Sequence, residues 1–120
     1  MDNYITVGEG RYKIELTVTA TQDGFIAHLM GGEKHHVGGV VTSVPRPKKN
    51  GEGMTIDTWI TPVPGHKDTE VAKPVAEMIC RGTNQVVVVV AGVHIKNAKK
   101  DEIDLLVANC LEAAQKIKFK

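Results

Sequence analysis

Little in this chain is aromatic: Tyr4, Tyr12, Phe25, Trp59 and Phe119 are the whole complement, 4% of 120 residues, and a strong stacking platform for a planar ligand is not evident. Cysteine is limited to Cys80 and Cys110, each on the apolar stripe of an expected helix, where a thiol behaves as a small hydrophobe; a disulfide or redox role is not indicated. Serine occurs only as Ser43, in mid-strand and without a glycine elbow, which disfavours nucleophilic hydrolase chemistry. Charge of one sign is also missing, with 15 basic against 14 acidic residues, so no field draws nucleic acid or an anionic membrane. The longest apolar run, Val86 to Val93, is far too short to span a bilayer, and Met1-Asp2-Asn3 does not begin a secretion signal. The expectation is one cytoplasmic domain over residues 1–120.

What is present divides the chain into two halves. From Arg11 to Thr21 apolar and polar residues alternate, with Tyr12, Ile14, Leu16, Val18 and Ala20 on one face; Gln22-Asp23-Gly24 has turn chemistry, and Phe25 to Met30 completes an expected hairpin. Val37 to Val44 forms a third strand, stopped by Pro45-Arg46-Pro47, and Met54 to Ile60 a fourth, so the first half reads as an antiparallel meander. The period then changes. Asp68 or Thr69 can cap a helix with Val71, Val75, Met78 and Ile79 on its apolar stripe and Gly82 as its stop; Pro74 makes the first turn irregular or moves the start to near Lys73. Gln85 to Ala91 reads as a strand buried on both faces, because five consecutive valines do not alternate in polarity. Its second face is covered either by a partner surface or a second copy of the chain, or by the sheet's own curl and loops. The last helix carries Ile103, Leu106, Val107, Cys110, Leu111, Ala114 and Ile117 in one stripe. The fold class expected is α+β, a mostly antiparallel sheet of about five strands with two helices on one face.

Glycine and histidine coincide in three places: Gly31-Gly32 through His35-His36 to Gly38-Gly39, then Pro64-Gly65-His66-Lys67, then Ala91-Gly92-Val93-His94. Each lies at a strand end or before a helix, where side chains can converge on one pocket. On extended backbone His35 and His36 point opposite ways, and His36, at the entrance to the third strand, is the better placed. His36, His66 and His94 could supply three imidazoles to a metal, but neither a His-x-x-x-His pair nor a CxxC motif supports that. A phosphate dianion suits the glycine loop, Lys67 and the helix start better, although neither GxxxxGK[ST] nor GxGxxG is present.

The succession Gly31-Gly32, His36-Val37-Gly38 and Val40, then Pro64-Gly65-His66-Lys67 before a helix, then a valine strand running into Ala91-Gly92-Val93-His94-Ile95, resembles the D-subunit-like proteins of gallate-type decarboxylase systems. That family is prenylated-flavin chaperone-like, with a fold grouped with proteasome-assembly-chaperone-like domains. The resemblance implies a non-catalytic accessory protein that binds prenylated FMN, or FMN, and delivers it to the large subunit of a reversible aromatic-acid decarboxylase. It assigns Gly31, Gly32, His36 and Gly38 to the shape of the loop, His66 and Lys67 to the phosphate, and His94 to closing the pocket. A homodimer is expected. Two other readings remain: a dimeric assembly-chaperone-like module without a small-molecule ligand, and a small metal-dependent or lyase-type enzyme.

Overall fold

Strand and helix order follows the polarity pattern, and strand neighbours do not. A computed structural model describes residues 3–65 and 67–117. It contains β1 (Tyr4–Val7), β2 (Ile14–Ala20), β3 (Gly24–Gly32), β4 (Gly39–Pro47), β5 (Met54–Pro62), α1 (Asp68–Thr83), β6 (Val86–His94) and α2 (Lys100–Lys116), with a 3-10 turn at Gly10–Tyr12. The six strands form one sheet in the order β1-β2-β3-β6-β4-β5. The architecture is therefore the α+β layer expected, with β1 as the additional strand, and the first half is not a meander. The valine strand β6 inserts between β3 and β4, parallel to β3 and antiparallel to β4. A helix between β5 and β6 explains this: a crossover returns the chain to the same end of the sheet, making β6 parallel to β5 with β4 between them.

Both helices lie on one face, over Ile14, Leu16 and Val18 of β2, Ala27 and Leu29 of β3, Val87, Val89 and Ala91 of β6, and Val41 of β4, all with no exposed surface. Alternate residues of β6, Val88 and Val90, remain half-exposed on the other face. Within one chain the valine run is thus covered by helices on one face only, and its outer face is apolar too. Strand β4 runs through Pro45 and Pro47 instead of stopping before them. Its pairing with β6 ends at Ser43, so beyond it one edge of β4 is unpaired and can tolerate prolines without an N–H.

The helix ends also differ from the sequence expectation. Lys67 precedes α1 without a side-chain cap; Asp68 is the first helical residue, and Pro74 lies inside the helix. Gly82 is passed, and Asn84 makes the left-handed stop (φ 56°), its N–H donating to the Cys80 carbonyl. At the start of α2, Glu102 accepts the Lys99 N–H (2.9 Å) and the Tyr12 hydroxyl (2.7 Å), tying the 3-10 turn to the helix. These bonds stabilise the Glu102 carboxylate and hold its pKa below the ordinary value. No helix among the described residues is long and apolar enough to cross a membrane.

Cys80 and Cys110 are buried and unpaired. Burial pushes the Cys110 thiol from 9.0 up to about 12. The unfolded chain ionises this thiol above about pH 9 and the folded chain does not, so the stabilisation is complete below that pH and is lost as pH rises toward 12. Above about pH 9, wild-type stability should fall relative to Cys110→Ala by up to about 1.4 kcal/mol per pH unit. Urea unfolding of both proteins between about pH 8 and pH 10.5 reads this slope; parallel curves would show that the thiol is not protected.

Candidate functional site

The chain leaving β3 must cross the end of β6 to reach β4, and that crossing builds the site. Residues 33–38 form a strap anchored at both ends: the Glu33 N–H donates to the His94 carbonyl (2.7 Å) and the Gly38 N–H to the Ala91 carbonyl (2.8 Å). Between these anchors the strap lies directly on Gly92, where an added Cβ would stand 1.5 Å from the His36 carbonyl oxygen. Gly32 starts the strap at φ +73°, a left-handed conformation, and a Cβ there would meet the His94 backbone.

Extended backbone sends the two neighbouring histidines apart. His35 turns outward, with Nε2 3.3 Å from a Glu15 carboxylate oxygen. His36 turns inward: its Nε2 is 3.1 Å from Asp68 Oδ2, and its ring stands edge-on to that of His94, centroids 6.1 Å apart. Asp68 Oδ2 also accepts the Val93 N–H at 2.7 Å. Only 5% of Asp68 is exposed, so this one carboxylate joins the strap, the end of β6 and the first turn of α1 out of water.

A cavity of about 350 Å³ opens beside this junction, between the first turns of α1 and α2. Val71, Val93, Ile95, Ala98, Ile103, Leu106 and Val107 form its apolar walls, and Lys67, Asp68, Glu70 and His94 supply the polar groups. Of the residues expected at a site, Lys67 and His94 line the cavity. His36 stands behind it, against Asp68 and His94. Gly31 packs on Ile14 of β2, Gly32 on the His94 backbone and Gly38 on the Asp68 carboxylate, so these three bring strands and strap together without lining the cavity. His66 falls outside the described residues.

Sequence reasoning missed Asp68 as an organising residue because an acidic residue at a helix start reads as a cap. It read Ile103 and Val107 as core, yet Ile103 is 44% exposed on the cavity wall. Trp59 is 59% exposed, and its register opposite Thr42 puts it on the sheet face away from the helices, outside the core. Ser43 is buried against the Thr58 hydroxyl (3.1 Å), and Asp57 accepts from Arg46 Nε (2.6 Å). Among the described residues no group of three histidine, cysteine, aspartate or glutamate side chains is placed to hold a metal ion.

Fold and site together define a cleft-bearing, two-layer α+β domain whose polar groups gather at one end of an apolar cavity. The chain belongs to the prenylated flavin chaperone LpdD-like family, whose model matches residues 8–120. No curated protein matches it. Among solved structures it is similar to a chain from the crystal structure of a novel chaperone complex for yeast 20S proteasome assembly, with 14% identity, a TM-score of 0.55, and coverage of 94% of this chain and 87% of that one. At that identity the likeness is one of fold.

Proposed function

We propose that this protein holds a prenylated flavin mononucleotide in the cleft between α1 and α2, passes it to a reversible aromatic-acid decarboxylase, and acts as a homodimer without breaking carbon–carbon bonds itself. The apolar cavity carries this reading. Its volume of about 350 Å³ lies within the roughly 300–1,000 Å³ typical of ligand sites, and its aliphatic walls suit a substituted ring system. Lys67 and the N–H groups of the first turn of α1 stand at the mouth and suit a phosphate, while the Asp68 carboxylate is turned inward to Val93 and His36. His94 can hydrogen-bond a ring edge. Once bound to the decarboxylase, the flavin supplies the covalent chemistry; this chain supplies shelter and release.

Titration with FMN and with prenylated FMN, followed by flavin absorbance, tests the proposal. Saturable binding of the prenylated form is expected. Val107→Trp, which fills the cavity from α2, should weaken it at least tenfold with an unchanged circular dichroism spectrum, and His94→Ala should weaken it less. Binding that Val107→Trp leaves intact would move the site elsewhere, and no binding of either flavin would favour the assembly module.

A further inference from the structure

Helices cover one face of the sheet; across the described residues, the other carries Ile26 (43% exposed), Val86 (40%) and Trp59 (59%), with Val40, Val88 and Val90 half-buried between them. Register places these side chains together. Ile26 is opposite Val88, Val40 is opposite Val90, and Trp59 lies across Thr42 from Val88. The strip therefore crosses four adjacent strands, β3, β6, β4 and β5. A contiguous apolar surface of this kind marks an interface.

We infer that this open face is where two copies of the chain associate, sheet against sheet. Three observations favour a second copy over an acidic, basic or nucleic-acid partner. First, the face presents no excess charge: Arg46 and Asp57 neutralise one another at 2.6 Å, and the Glu15 carboxylate is engaged by Tyr4 and His35. Apart from the His28 imidazole, no described side chain on it repels a copy of itself or recruits a charged ligand. Second, its area fits: strands about 4.8 Å apart and about eight residues long make six strands cover roughly 700 Å², close to the ~800 Å² each partner contributes to a standard interface. Third, its side chains are mostly short and β-branched, which lets two twisted sheets approach to about 10 Å at a shallow angle. The strap over Gly92 occupies only one end of this face. His28, between Thr17 and Val90, is the titratable group nearest its centre. This inference rests on the homodimer part of the proposed function and adds the surface that makes it; it does not depend on flavin binding.

Sedimentation equilibrium of the wild-type chain, Ile26→Lys, Val86→Lys and Leu105→Lys tests it. Ile26 and Val86 lie toward strand ends and are substantially exposed, so a lysine at either leaves the fold intact by circular dichroism. Leu105, 44% exposed on α2, is the control on the opposite surface. The wild-type and Leu105→Lys chains should sediment at twice the 13.0 kDa chain mass. The two sheet variants should dissociate at least a hundredfold more readily, with emission from Trp59, the sole tryptophan, moving to longer wavelength. A wild-type chain that stays monomeric at every concentration overturns both the homodimer and its surface. Sheet variants that dimerise as well as wild type overturn the surface and leave the homodimer standing. Loss of the dimer in Leu105→Lys alone would place the interface on the helices.

Discussion

Gly92→Ala is expected to lose about 3 kcal/mol of stability or more, the upper range of what overpacking costs in a close-packed interior. The new methyl would sit 1.5 Å from the His36 carbonyl oxygen, 2.5 Å from its carbonyl carbon and 2.8 Å from its nitrogen. These are backbone atoms of a strap anchored on both sides, so no side-chain rotation relieves the clash. Either the strap lifts off β6, breaking the Glu33–His94 and Gly38–Ala91 backbone bonds, or β6 shifts within the sheet. Urea unfolding measures the loss, and amide exchange at Glu33 and Gly38 distinguishes the two responses: both amides should lose protection if the strap lifts. If the variant unfolds within about 0.5 kcal/mol of wild type, with both amides protected, the strap does not press on Gly92 as described.

The second large effect is expected at Asp68. Truncation to alanine removes the acceptor of the Val93 N–H and the carboxylate facing His36, leaving polar groups in a place water does not reach. Leaving a buried polar group without its partner costs about 1–3 kcal/mol for each group, and both the Val93 N–H and His36 Nε2 lose the carboxylate here. Asp68→Asn should cost less, because its carboxamide oxygen still accepts from Val93. The comparison separates the hydrogen bond to β6 from the charge beside His36, and flavin titration at a temperature where both variants are folded shows whether the junction also positions the cleft. An Asp68→Ala protein within about 1 kcal/mol of wild type would reduce Asp68 to an ordinary first-turn acid.

Both predictions concern residues whose importance was only half legible. Gly92 stood within one of the three glycine–histidine segments, yet only the crossing of the strap shows what its missing side chain makes room for. His36 was distinguishable from His35, because extended backbone sends adjacent side chains to opposite sides, as their partners Asp68 and Glu15 show. The apolar wall of the cleft was not distinguishable from core. Ile103 and Leu106 belong to the same helical stripe and both line the cavity, and only the position of α1 beside α2 leaves one of them at 44% exposure and the other at 5%. The family model over residues 8–120 agrees with the resemblance carried by these segments.

The sequence by itself determined the elements and their inner faces. Period-two alternation in β2 and the helical stripe of α2 are local properties of side-chain direction, so they survive without knowledge of any partner. Tertiary structure decided what depends on distant neighbours: the insertion of β6 between β3 and β4, the passage of β4 through its prolines beyond the end of β6, and the inward turn of Asp68. It also left Val88 and Val90 on an open face while hiding Val87 and Val89 under the helices. All five valines carry the same polarity, so no local pattern could assign their sides; the crossover through α1 and the placement of both helices on one face did.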